Sequence, residues 1–111
     1  MAQQQDPRVR NIKIKTGVLK RLIKEKAMYE KEVIEQTAKV EKMKTNNEDQ
    51  YDIRKQQEVL EESKMMIPDS TKRIRTAYAD LKNCLESSKE EQEHEEYTVA
   101  AALIEVVSPN V

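Results

Sequence analysis

Few side chains in this chain could do chemistry. His94 is the only histidine, and it stands among glutamates. As a metal ligand it would need several His or Cys partners at short spacing, and the sequence has none. It reads as a solvated helix residue. Cys84 is the only cysteine. A nucleophilic thiol needs a base and an orienting group beside it. Cys84 instead falls on an apolar heptad position, where a small buried hydrophobe is the simpler reading. One cysteine makes no internal disulfide, which suits a reducing compartment. Carboxylates are plentiful, but a chain with 21 acidic residues pairs them by chance. One glycine cannot build a phosphate cradle. The residues therefore point away from an enzyme, a metal centre, a cofactor and a small-molecule substrate.

Charge distribution says more. Residues 8–26 hold Arg8, Arg10, Lys13, Lys15, Lys20, Arg21, Lys24 and Lys26 against one acid, Glu25. Residues 86–96 hold six glutamates against one lysine. Either the two patches complement each other across the fold, or the basic stretch meets an acidic partner. Nucleic acid would be such a partner. A net charge of −1 and the lack of Phe and Trp platforms for base stacking count against it.

Long helices must position these groups. The chain has 111 residues, 37% apolar and 37% charged. An average domain has roughly 45–50% apolar and 25% charged residues. Such a chain cannot wrap a thick core, and one Gly with three Pro cannot supply the turns of a β fold. Asp6-Pro7 suits a helix start. Ile12, Leu19, Val33 and Val40 recur on one heptad position, with Leu22, Tyr29 and Met43 three residues later and Val9 and Ile23 beside them. Lys15, Lys26 and Gln36 interrupt this seam. Gly17 costs about 1 kcal/mol against Ala in mid-helix. It marks either a close helix approach or a tolerated defect. Thr45-Asn46-Asn47 ends the helix, and Glu48 and Asp49 suit the start of the next.

The second seam is Ile53, Leu60, Ile67, Ile74 and Leu81, with Ala77 and Cys84 three residues later and Tyr78 and Leu85 flanking it. Its phase survives Pro68, so the spacing predicts one helix kinked there; two helices with a sharp turn is the competing reading. Ser87 and Ser88, each with a glutamate three residues on, fit a capping box for a third helix. Ser108-Pro109 should end it. The expectation is an all-α, elongated antiparallel three-helix bundle, a rod with helices of about 7–45, 50–86 and 89–107 in a single domain over 1–111. The first two would be roughly 50–60 Å long. The N-terminus lacks an apolar signal segment and no stretch reaches the ~20 apolar residues of a membrane span. That predicts a cytoplasmic chain without membrane contact.

Met65 lies about 160° around the helix from Ile67, on an outer strip with Glu58 and Lys72. A flexible apolar side chain there suits an adaptable partner contact. Candidate partner-binding residues are Lys13, Lys20 and Lys24 on the basic stretch. Val59, Met65, Met66, Pro68 and Asp69 are the candidates on the second helix.

The segments Asp6-Pro7-Arg8-Val9-Arg10, Ile12 to Val18, Lys24-Glu25-Lys26, Met28 to Glu32, Tyr51-Asp52-Ile53 and Glu61 to Asp69 closely resemble the tubulin-folding cofactor A family, also called tubulin-specific chaperone A. The resemblance is dense over about residues 6–85. Met65-Met66-Ile67-Pro68-Asp69 in a charged helix is an uncommon string. Family members often carry Cys next, where this chain has Ser70, and Ala100-Ala101-Ala102-Leu103 is less typical of them. The resemblance implies a three-helix rod and a cytosolic, cytoskeleton-associated chaperone. It would capture β-tubulin after chaperonin release and hold it before αβ-heterodimer assembly, with no nucleotide of its own. Members include monomers and dimers, so a homodimer is allowed. Tubulins are acidic, which would suit the basic first helix. The alternative from the residues alone is a structural coiled-coil subunit of a larger assembly.

Overall fold

The computed structural model describes residues 6–107. The elements are α1 (Pro7–Thr45), α2 (Gln50–Ser87), a short 3₁₀ turn (Lys89–Glu91) and α3 (Glu95–Val107). Among the described residues there is no strand. Ser108 and Pro109, the expected end of the third helix, lie outside the described residues.

Each helix end is built from side chains the sequence supplies. Asp6 caps α1: its Oδ1 accepts from the Arg8 N–H at 2.8 Å, and its carbonyl accepts from the Arg10 N–H at 2.9 Å. Pro7 occupies the first helical position, where its missing N–H costs nothing. The other end closes in a Schellman motif. Glu48 N–H donates to the Met43 carbonyl at 3.0 Å, and Asn47 N–H to the Lys44 carbonyl at 3.1 Å. Asn47 takes φ 51°, the left-handed conformation that asparagine tolerates better than most residues. Asp49 then caps α2 through the Tyr51 N–H, at 3.3 Å.

α2 continues through Pro68 as a single helix. Proline removes the N–H that would reach the Lys64 carbonyl. Lys64 and Pro68 are both exposed, so water can take the donor's place. The alternative of two helices parted by a turn at Pro68 is not what the chain does. Pro68→Ala should restore the missing bond and raise stability by about 1–3 kcal/mol, read as an increased melting temperature by circular dichroism. A lower melting temperature would show that the helix is built around the proline.

The third helix starts later than the capping-box pattern indicates. Ser88 makes no side-chain cap bond; it is buried, and its carbonyl accepts from Glu91 N–H at 2.9 Å. The chain makes one 3₁₀ turn, and α3 begins at Glu95, with Tyr97 N–H bonded to the His94 carbonyl. Glu90, Glu91, Glu93 and Glu95 crowd this stretch, and like charges one turn apart disfavour continuous helix.

The described residues form two compact units. One combines residues 6–22 of α1, residues 72–87 of α2, the 3₁₀ turn and α3. Its seam is dry: Ile12, Leu19, Leu81 and Ala100 are 0% exposed. Val9, Ile74, Leu85 and Val107 are also buried. Tyr97 Oη donates to the Leu85 carbonyl at 3.4 Å, tying α3 to α2. A Cβ at Gly17 would meet nothing within 4 Å, so this glycine is a tolerated defect and not a close approach.

The other unit, residues 23–71, is a hairpin of two helices. Near its turn, Val40, Met43, Ile53 and Leu60 are buried. Further along, Ile23, Tyr29, Val33 and Ile67 are only half-buried. Two helices within one unit cover only one side of each seam. The small side chains Ser63 and Ser70, both buried, continue upstream the heptad position of Ala77 and Cys84.

Candidate partner-binding surface

Part of the basic stretch of α1 is met by the chain itself. Arg8 pairs with Glu90. Lys15 Nζ donates to Asp80 Oδ2 at 2.6 Å. Residue numbers rise along α1 as they fall along α2 in the Lys15–Asp80 pair and the Arg8–Glu90 pair beyond it, as antiparallel neighbours require. Lys13 and Lys20 are exposed and line a groove of about 350 Å³ with Thr16, Gly17, Glu95, Glu96 and Val99. Lysines on α1 thus face glutamates at the start of α3, so within this unit the two charge patches complement each other.

The hydrogen bond to Asp80 raises the Lys15 amine above its ordinary 10.5, its charge attraction adding to this and partial burial opposing it. A cation favoured in the folded state stabilises fully below its unfolded pKa, and that contribution is lost as pH rises through the folded value. Asp80→Asn should therefore cost about 0.5–1 kcal/mol at neutral pH, the scale of a surface pair. It should also flatten the loss of stability above pH ~10.5. Urea melts at pH 7 and pH 11 measure both; equal losses at the two pH values would contradict the assignment.

The second-helix candidates lie in the hairpin. Val59, Met65 and Met66 line a groove of about 460 Å³ with Glu32, Gln36, Glu62 and Ser63. Met65 is 71% exposed and Val59 42%. A large apolar side chain that solvated, rimmed by polar residues, is a feature of contact surfaces. Gln36 Oε1 is buried with no hydrogen-bond partner. Glu32 and Glu62 make no ion pair among the described residues. Lys24, Pro68 and Asp69 are exposed but do not line this groove or the one beside α3. The structure thus brings Val59, Met65 and Met66 together, sets Lys13 and Lys20 in a separate place, and joins the remaining three to neither.

Sequence reasoning did not single out Glu32, Gln36, Glu62 and Ser63 as groove residues. Gln36 carried a signal as a polar break in the first seam. Ser63 carried one too, 21 residues before Cys84 on the same heptad position. Of the residues first tested for chemistry, His94 is exposed, with Nε2 at 3.0 Å from Glu91 Oε2. Cys84 is half-buried and its thiol is free. Among the described residues no three His, Cys, Asp or Glu side chains lie together as a metal site would require. No helix there is long and apolar enough to cross a membrane.

Comparison with known proteins converges on one group. Residues 7–104 match the family described as Tubulin binding cofactor A. The human protein named Tubulin-specific chaperone A is 55% identical over 102 residues, covering 92% of this chain and 94% of its own length. A solved structure described as human tubulin chaperone cofactor a superposes with a TM-score of 0.77 at 52% identity, over 92% of this chain and 99% of that one. The crystal structure of tubulin folding cofactor A from Arabidopsis thaliana gives a TM-score of 0.80 at 44% identity, over 92% and 96%. Matching in sequence and in helix arrangement over nearly its whole length, the chain belongs to the tubulin binding cofactor A family.

Proposed function

We propose that this chain is a tubulin-folding chaperone. It captures β-tubulin after release from the chaperonin and holds it for αβ-heterodimer assembly. It does so by reversible surface association, without catalysis, nucleotide or other cofactor. It acts in the cytoplasm, with its 111 residues working as one domain. The observation that carries this reading is the hairpin surface. Met65 stands 71% exposed above a groove that Val59 and Met66 also line, beside a seam left half-covered. Apolar side chains gathered along one groove and rimmed by polar residues offer a partner a surface to cover. The family's names supply tubulin as that partner. Lys24 and the other exposed cations of α1 add attraction toward an acidic protein during encounter.

Size-exclusion chromatography of the chain with β-tubulin freshly released from chaperonin tests this. Co-elution is expected, and two separate peaks would overturn it. The half-covered seam supports a second reading, a coiled-coil subunit that completes its seam with other helices. That reading requires an obligate oligomer, which light scattering on the same column detects.

A further inference from the structure

The hairpin groove carries charge of one sign. Its charged lining is the carboxylates of Glu32 and Glu62, which make no ion pair among the described residues, and the Oε1 of Gln36 is buried without a donor, although the Gln36 amide nitrogen can itself donate. Ser63 adds a hydroxyl, which can donate or accept. The remaining lining is Val59, Met65 and Met66. A buried carbonyl oxygen without a donor is unfavourable and uncommon in folded chains. Its complement is a group carrying several N–H donors, positive charge and an apolar stem. Water satisfies only the first of these. A lysine brings the charge and stem, but its ammonium is compact and strongly hydrated. A guanidinium is planar, weakly hydrated and carries five donors in a fixed fork, enough to reach an amide oxygen and a carboxylate together.

We propose that this groove receives an arginine side chain of the partner protein. The guanidinium pairs with Glu32 and Glu62 while its methylenes lie along Val59 and Met65, and the Gln36 amide turns on binding so that its Oε1, closed to solvent in the free chain, accepts from the guanidinium. This rests on the proposed function and specifies what the hairpin surface recognises. Charge complementarity selects the occupant: this groove presents carboxylates and no lysine or arginine, whereas the groove beside α3 is lined by both signs.

The test compares β-tubulin binding by the wild-type chain, Gln36→Met, and the double variant Glu32→Gln, Glu62→Gln, with circular dichroism melts of each. Gln36→Met removes the orphan acceptor at similar volume, so its melting temperature should equal or exceed the wild type's. Its affinity for β-tubulin should fall about tenfold or more, as expected when a hydrogen bond to a charged group is lost. The double variant should also bind more weakly and show a shallower salt dependence. Arginine hydrochloride should compete with wild-type binding more strongly than sodium chloride at equal ionic strength, and this difference should shrink in Gln36→Met and in the double variant. Wild-type affinity in both variants, with the wild type binding β-tubulin, would overturn the arginine site and leave the chaperone reading standing. A self-associated wild type that Gln36→Met makes monomeric would overturn it in favour of a second copy as occupant. No binding by the wild type would overturn the functional reading itself.

Discussion

Leu81→Ala should cost about 2–5 kcal/mol, the range for emptying a fully packed leucine site. Leu81 is 0% exposed, in a unit where Ile12, Leu19 and Ala100 are equally closed to water. The α3 side of that seam is held by Ala100 and by the Tyr97 hydroxyl, so little can move in to fill the space. Domains of this size are stable by only about 5–15 kcal/mol. The melting temperature should therefore drop by roughly ten degrees or more. Ile67→Ala is the internal comparison. Ile67 shares the heptad position but is half-buried, so its truncation should cost distinctly less. Urea melts of both variants measure this. Equal losses would mean that the heptad position, and not the packing around it, sets the energy.

Met65→Glu should have the largest effect on binding. It places a charge on the most exposed apolar side chain of the hairpin groove, beside Glu62. An apolar anchor would be lost, and a carboxylate would be brought against the partner surface it had covered. The expected loss in β-tubulin affinity is about 2 kcal/mol or more, roughly thirtyfold. The fold should not notice, because exposed helix substitutions fall within about 0.5 kcal/mol. A binding titration paired with a thermal melt separates the two effects. Unchanged affinity would remove Met65 from the contact surface; a collapsed melt would show it to be structural.

The helix ends and the two seams were legible in the sequence because they depend on neighbours a few residues apart. Asp6-Pro7 and Thr45-Asn46-Asn47 bracket α1 because capping and the left-handed turn are local chemistry. The run from Ile53 to Leu81 kept its phase through Pro68 because the lost hydrogen bond lies on a solvated face. The third helix was misplaced at its start. Ser88 looked like a cap, but it is buried, which no local pattern reveals.

The surface was harder to read. Lys13 and Lys20 stood out as a basic patch, yet α3 places Glu95 and Glu96 opposite them, a pairing across more than 70 residues. Met65 was legible from its angle around the helix. The acceptors beside it were not, because Glu32 and Gln36 come from the other helix of the hairpin. Whether a polar side chain finds its partner depends on what the opposite helix brings, and periodicity along one helix does not report that.

Recognition through an exposed surface should distinguish β-tubulin from α-tubulin. A native gel shift with equal amounts of isolated β-tubulin and α-tubulin, each titrated with the wild-type chain, tests it most directly. The predicted result is a discrete, saturable shift of β-tubulin and none of α-tubulin. Failure of β-tubulin to shift, or an equal shift of both, would contradict it.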